Sequence, residues 1–298
     1  MNRFHTIRRL AFMLTGLAAA LAAAVAAAPA AFAGTRVHPA TVPPAELVRF
    51  GPLAHAFNAS AAAHGRYTTI DVPGATATFA GSVNDFGVVV GRYTDAHGVG
   101  HGFIDRRGVF TTVNDPHAGT AKFQGTILAG INNSGVIDGT YTDAHGVDHG
   151  FIDRRGVFTT VNHAHAGTAP RQGTDVNGLN DRGAVTGFYF NSRGNPVSFA
   201  GRPGQFTTVT DPAAAASITL ASKINDAGVI VGTTITAHAL AHGFIDRRGA
   251  FTPLNDPLAG TAPGQGTVVN GLNNRGIIVG FYFDSHGTTH GFELNNAR

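Results

Sequence analysis

Cysteine and tryptophan are absent from this 298-residue chain, and methionine occurs only twice. Without thiols there is no disulfide framework, no thiolate metal site and no lipidated N-terminal cysteine. Charge is scarce too, at 13% of residues, and glutamate occurs only at Glu46 and Glu293. Glycoside hydrolysis needs two carboxylates flanking the scissile bond, one of them with a raised pKa, so this composition argues against a glycosidase. The chain also lacks a Gly-x-Ser-x-Gly elbow, a phosphate loop and a dinucleotide fingerprint.

What basic excess exists is concentrated at the start. Arg3, Arg8 and Arg9 precede an Ala/Leu-rich run over 10–28, and Ala31-Phe32-Ala33 follows before Gly34. These are the parts of a secretory signal with an A-x-A cleavage site, and Arg8-Arg9 is compatible with twin-arginine export. Residues 1–33 are therefore expected to be removed, which puts the protein in the periplasm or outside the cell with no membrane span. Cleavage takes three of the 21 Lys+Arg and none of the 18 Asp+Glu, so the remainder is balanced at 18 and 18. A balanced chain gives no reason to expect a nucleic-acid partner. Residues 34–64, with Pro43-Pro44 and two Ala-rich patches, read as an extended lead-in.

What the chain has in abundance is glycine in repeated turns. Asn84-Asp85-Phe86-Gly87, Asn132-Asn133-Ser134-Gly135, Asn180-Asp181-Arg182-Gly183, Asn225-Asp226-Ala227-Gly228 and Asn273-Asn274-Arg275-Gly276 recur at spacings of 48, 48, 45 and 48 residues. The pattern predicts a type I turn whose Asn side chain caps the loop and whose Gly takes positive φ. A second family (Asp105 to Gly108, Asp153 to Gly156, Asp246 to Gly249) and a third (Asp95 to Gly98, Asp143 to Gly146, Asn191 to Gly194, Asp284 to Gly287) are read the same way. Two hairpins depart from the pattern and are expected to differ locally: Thr236-Ala237-His238-Ala239 and Gly201-Arg202-Pro203-Gly204.

Between these turns lie runs rich in β-branched and aromatic residues, four per repeat. Three connections in each repeat are tight, and the fourth is a loop of about a dozen residues. Tight hairpins keep strands in one sheet, so each repeat is a four-stranded antiparallel meander and the long loop steps to the next. Such radial repetition predicts an all-β, five-bladed β-propeller over 65–298. Its blades fall at about 78–116, 125–162, 174–212, 218–257 and 267–295. The last supplies only three strands, and residues 66–71 (Arg-Tyr-Thr-Thr-Ile-Asp) match the missing fourth, so the N-terminal strand is expected to close the ring. Phe103, Phe151, Phe199, Phe244 and Phe292, with Phe110, Phe158, Phe206 and Phe251, are the predicted filling between sheets. His290-Gly291-Phe292 is preferred over His55-Ala56-Phe57 as the third strand of the last blade, because its preceding turn is intact.

Over about 55–295 the chain resembles the probable extracellular HAF-repeat family. The residues that carry the resemblance are 129–151 and their copies: a Gly-Ile-Asn-type turn, a Val-Gly strand, an Asp-x-x-Gly turn and a His-x-Phe strand. His-Gly-Phe stands in place of His-Ala-Phe everywhere except 55–57. The resemblance implies an exported repeat protein and no particular activity.

Histidine is the reactive side chain in excess. His97/His101, His145/His149, His238/His242 and His286/His290 recur as His-x-x-x-His, with Asp95, Asp143 or Asp284 nearby, a spacing open to a metal site. Copying of a turn with its strand start explains the same spacing without metal, so no metal, cofactor or catalytic residue is assigned. The meander puts the long loops and Asp-x-His-Gly turns on one face, with His97, His145 and His286 above Tyr141, Tyr189 and Tyr282. The opposite face gathers the Asn-x-x-Gly and Asp-Arg-Arg-Gly turns, with Arg106, Arg154 and Arg247. These nine residues are the candidate ligand-binding set. The function expected is a monomeric, non-catalytic binding or interaction module for an extracellular glycan or anionic polymer. A glycosidase-like or metal-dependent enzyme on a propeller scaffold, or a purely structural envelope protein, is the alternative.

Overall fold

The computed structural model describes residues 69–212 and 218–295, and every regular element in them is a β-strand. The expected signal, the lead-in and residues 55–57 lie outside the described residues. The first unit comprises β1 (Ala77–Val83), β2 (Val88–Thr94), β3 (Gly100–Arg106) and β4 (Val109–Val113). The second comprises β5 (Gly125–Ile131), β6 (Ile137–Thr142), β7 (Asp148–Arg154) and β8 (Val157–Val161). The third comprises β9 (Gly173–Leu179), β10 (Val185–Phe190), β11 (Pro196–Arg202) and β12 (Gln205–Thr208). The fourth comprises β13 (Ile218–Ile224), β14 (Val229–Ile235), β15 (Ala241–Arg247) and β16 (Ala250–Leu254). The fifth has β17 (Gly266–Leu272), β18 (Ile277–Phe283) and β19 (Thr289–Asn295). Each unit is an antiparallel meander, as its turn lengths require.

Neighbouring units pack face to face. Phe103, Phe151, Phe199 and Phe244 are fully buried, and each meets the Phe of its fourth strand at ring-centroid distances of 5.7, 5.3, 4.7 and 5.1 Å. The glycine of each second strand makes room for that ring. A Cβ at Gly139 would stand 2.8 Å from the Phe151 ring and would overlap the Ile127 carbonyl. On the other face of the same sheet, Val176 of β9 fills the space over Gly150, and its N–H donates to Thr140 Oγ1 at 3.3 Å. Every first strand also carries a β-bulge two or three residues before its asparagine, as between Leu128 and Gly130. A bulge sharpens local twist where the first strands crowd together.

The Asn-x-x-Gly turns form as predicted. Asn132 Oδ1 accepts the Val136 N–H at 2.9 Å, and Gly135, at φ 75°, donates to the Asn132 carbonyl at 3.0 Å. The same side chain has a second job. Asn84 Nδ2 donates to the Asn132 carbonyl (3.2 Å), Asn132 to Asn180 (3.4 Å), Asn180 to Asn225 (3.0 Å) and Asn225 to Asn273 (3.5 Å). A parallel rail joins the next residues: the N–H groups of Asp85, Asn133, Asp181 and Asp226 donate to the side-chain oxygens of Asn133, Asp181, Asp226 and Asn274 at 2.8–3.1 Å.

Two expectations need correction. The Asp-Arg-Arg-Gly hairpins are two-residue loops: Arg154 pairs with Val157, and Arg155 and Gly156 both take positive φ, 57° and 86°. That is a type I′ turn, whose twist suits the flanking strands, and the Asp instead accepts the Gly N–H, as Asp153 does at 2.6 Å. The Thr236–Ala239 hairpin does not differ, because Ala239 adopts φ 62° and closes the loop with the usual bond to Thr236. In the third unit Pro203 cannot take positive φ, so with Gly204 at φ 82° its loop departs as expected. The described strands form two sheets of 12 and 7, and no pairing among them closes a ring. β19 pairs with β18 alone, and the described part of the expected closing strand, 69–71, pairs with no strand.

The ladder can be tested at Asn180, which is buried. Asn180→Asp keeps the turn-capping oxygen and removes the amide donor to Asn225. It is expected to lower unfolding free energy by roughly 1 kcal/mol, less than Asn180→Ala, because the bond between units is lost while the turn cap remains and the Asn225 carbonyl keeps the Gly228 N–H. Urea titration checks this, and an Asp variant as stable as wild type would leave the side chain with only its turn role.

Candidate functional site

The two faces differ in what they expose. On the long-loop face the Asp-x-His-Gly turn is organised by its carboxylate: Asp95 Oδ1 accepts the N–H groups of His97 and Val99 at 2.8 and 2.9 Å. The Val99 N–H, with further help from His101 and the His97 N–H, holds the Asp95 carboxyl down at about 2. His101 Nε2 lies 3.3 Å from Asp95 Oδ2, its other ring nitrogen contacts Asn114, and its ring stacks on Tyr93 at 5.0 Å. His149 repeats this on Asp143, Asn162 and Tyr141 (4.9 Å), and His290 on Asp284 and Tyr282 (5.0 Å).

In three of the four pairs the second histidine is thus a brace linking turn, strand and ring, whereas His242 of the fourth unit contacts Asn255 and follows a turn that begins with Thr236. His97, His145 and His286 stay exposed, the first with a side chain 87% accessible. Tyr141, Tyr189 and Tyr282 are buried, so they are not open ligand platforms. Tyr189 is covered by His163, whose ring lies 4.0 Å away and nearly parallel. Among the described residues, no group of three or more His, Asp or Glu is arranged to hold a metal ion.

The opposite face keeps its predicted arginines in solvent. Arg106, Arg154 and Arg247 end their third strands and are exposed, as are Arg107, Arg155 and Arg248 beside them. The latter three hold φ of 57–59°, a left-handed conformation that costs a side chain with a Cβ about 1–2 kcal/mol. Between the second and third units a groove of about 200 Å³ is lined by Arg154 and Arg182, with Asn132, Ser134 and Asp181. A second groove of about 340 Å³ lies between the third and fourth units, with Arg248, Asp246 and the stretch Thr207 to Thr210 on its wall. Arg182 belongs to an Asn-x-x-Gly turn, and only the stacking of units brings it beside Arg154.

Sequence reasoning missed the charges at the centre. Lys223, at the bulge of β13, donates its ammonium to the Ala129 carbonyl at 3.0 Å and to the Asn177 carbonyl at 2.5 Å, tying three units together. Asp138 is fully buried, and neither carboxylate oxygen finds a partner in another residue. Burial raises the Asp138 carboxyl to about 6 against the pull of Lys223, and lowers the Lys223 ammonium. Their signal was a break in the repeat: Asp138 stands where other units have Val90, Val231 and Val279, and Lys223 where they have Gly130, Gly178 and Gly271. Asp148, which accepts from Thr142 Oγ1 at 2.7 Å, and Asp175 form a separate pair of neighbouring carboxylates between the second and third sheets. Burial raises the first to about 6 and raises the second as well, with repulsion from Asp148 adding to the shift of Asp175. Neither lines either groove.

No protein-family model matches the chain, and no curated protein matches it. Among solved structures, a mutant of the Aleuria aurantia lectin in complex with Fucα1-6GlcNAc aligns at 11% identity over 74% of this chain and 75% of that one, with a TM-score of 0.42. The fucose-specific lectin from the same organism, in a mercury-derivative form, aligns at 12% identity over 73% of each chain, with a TM-score of 0.43. A triple mutant of AofleA from Arthrobotrys oligospora aligns at 14% over 72% and 70%, with a TM-score of 0.40. Similarity this slight assigns neither a ligand nor a number of blades to this chain.

The buried acids make stability depend on pH in a defined direction. Asp138, Asp148 and Asp175 have folded pKa values above the ordinary carboxyl value. For Asp138 and Asp148 the contribution is therefore fully present below about pH 4 and lost as pH rises through about 6, and Asp175 acts in the same direction. Asp138→Asn should gain on wild type by roughly 1–2 kcal/mol between pH 4 and pH 7, measured by denaturation at both values. A difference that stays constant with pH would show that Asp138 is already ionised at pH 4 or never ionises in this range.

Proposed function

We propose that the protein is an exported, non-catalytic binding module for an acidic polysaccharide, engaged by the face that carries the arginine turns. The observation that supports this reading is the groove where Arg154 and Arg182 meet from adjacent units beside Asn132 and Ser134. Guanidinium groups recognise carboxylate and sulfate in fork geometry, and side-chain amide and hydroxyl groups complete hydrogen bonds to sugar oxygens. A second observation agrees with it. Three repeats present arginine in a left-handed turn position that asparagine or glycine would occupy at lower cost. Strain kept at a surface turn points to a use for the side chain.

Repetition along this face suits a polymer. Arg106, Arg154 and Arg247 recur on successive or alternate units, so one chain of ligand can meet several weak sites and bind by avidity. Propeller closure, export and relation to HAF-repeat proteins belong to the same reading. On the opposite face, carboxylates brace histidines and the tyrosines are covered, and its exposed cations, Lys122, Arg171 and Arg193, line neither of the two grooves.

Binding of the mature protein to a uronic-acid polysaccharide, a sulfated polysaccharide, inorganic polyphosphate and neutral dextran tests the proposal. The acidic polysaccharides are expected to bind, with affinity falling as salt rises. The Arg154→Gln/Arg182→Gln pair should weaken binding at least about fivefold, the loss of one charge-assisted hydrogen bond or more. Dextran binding equal to the acidic glycans, or a double variant indistinguishable from wild type, would sink it, and preference for polyphosphate would change the ligand class. Arg155→Asn should separate fold from function: unfolding free energy rises by about 1 kcal/mol while polymer affinity drops.

A further inference from the structure

The tips of three long loops between units are copies of one scaffold. Phe123 N–H donates to the Gly98 carbonyl at 2.9 Å, Arg171 to Gly146 at 2.7 Å and Gly264 to Ala239 at 2.8 Å, so each tip is fixed on the three-residue turn of the unit before it. The glutamine that follows locks the tip from inside. Gln124 Oε1 accepts the Ala121 N–H at 2.9 Å, and its Nε2 donates to the Ala144 carbonyl at 3.1 Å. Gln172 and Gln265 repeat the first of these bonds on Ala169 and Ala262. All three tip residues hold positive φ, of 69°, 66° and 82°. Glycine does so without strain, as at Gly264, whereas a bulky side chain there is a backbone outlier. Phe123 keeps that conformation while 83% exposed, so its ring fills no core in return for the strain.

The exposed charges around these tips have one sign. Lys122 holds its ammonium 5.1 Å from the Phe123 ring centre, and Lys122, Arg171 and Arg193 are all exposed. None of the carboxylates of these loops and turns, Asp95, Asp115, Asp143, Asp211, Asp256 and Asp284, is exposed. Leu258, on the loop between the fourth and fifth units, adds a second large apolar group at 69% exposure, and Ala121, Pro170 and Pro263 are exposed at the tips. These groups come from separate unit boundaries and line neither groove, so a ligand held in one pocket cannot meet them together, whereas a flat partner can. The arginine face exposes Phe86 as well, but beside the exposed carboxylate of Asp85. We infer that the long-loop face docks on an anionic lipid surface, with Phe123 and Leu258 entering the headgroup region and Lys122, Arg171 and Arg193 meeting lipid phosphates. Apolar side chains at loop tips with cations on aliphatic stems beside them suit a bilayer interface, which takes up the first and pairs with the second. The arginine turns lie on the opposite face, so a docked protein still presents them to a polymer.

A chain without tryptophan allows a direct test on the mature protein. With vesicles of phosphatidylglycerol and phosphatidylcholine in equal parts, Phe123→Trp should shift its emission to the blue and be quenched by acyl-brominated lipid. Phe86→Trp, on the opposite face, should do neither. In co-sedimentation, Phe123→Asn should bind these vesicles at least about tenfold more weakly with no loss of Tm, because asparagine accepts the positive φ and the ring packs on nothing in the free protein. Lys122→Gln with Arg171→Gln should weaken binding about fivefold per charge and narrow the preference over pure phosphatidylcholine. Absence of binding to the anionic vesicles, a blue shift at Phe86→Trp in place of Phe123→Trp, or binding that Phe123→Asn leaves unchanged would overturn the inference. Arg154→Gln with Arg182→Gln should leave vesicle binding intact, and its loss in that variant would move the lipid to the arginine face and overturn the inference too.

Discussion

The structure depends on one side-chain amide used twice. In each Asn-x-x-Gly turn the Asn oxygen holds its own loop, and the Asn nitrogen reaches the carbonyl of the corresponding asparagine in the next unit. The second bond is made only when units stack at one fixed offset, so a local turn residue also sets the geometry between sheets. The flanking rail of Asp85, Asn133, Asp181, Asp226 and Asn274 repeats that constraint in the adjacent position. Apolar packing alone would fill the space between sheets but would tolerate sliding, whereas directional bonds at one end of every interface do not.

Given that offset, the rest of the interface follows. Phenylalanine of each third strand packs against glycine on its own second strand, and the next first strand covers the opposite side of the sheet. The first strands converge, and their bulged carbonyls point inward, where Lys223 bonds two of them. An ammonium in that position is costly to desolvate, and the buried Asp138 carboxylate partly offsets it. The polar space between the second and third sheets is thus a local exception to a repeat that is otherwise apolar inside. Its cost appears as raised carboxyl pKa values.

The two faces diverge because their turns carry different side chains. Three-residue loops bury a carboxylate among backbone N–H groups and tie it to histidine, leaving a self-satisfied surface. Two-residue loops also bury their carboxylates, each on one Gly N–H, but bring no histidine to them, and their arginines project into solvent from left-handed backbone. On the arginine face, exposed guanidinium groups from adjacent units meet at a groove, as Arg154 and Arg182 do, and this is the physical basis for placing a polyanion there.

Turn spacing, strand number per unit, the order of strands and the division of residues between faces were all legible in the sequence, because each depends on contacts within about fifty residues. The positive-φ glycines and the period-2 runs carry that information locally. The fate of the tyrosines was not legible, since Tyr141 at a strand end looks the same whether open or covered by His149. Nor was the meeting of Arg154 with Arg182, or of Lys223 with the carbonyls of Ala129 and Asn177, residues 46 and 94 positions away. Those contacts are set by the angle and offset between sheets, which the bonds from asparagine to asparagine decide. A single repeat read by itself carries the turn and not the stacking, so the sequence determined the unit while the tertiary structure decided which side chains from different units share a site.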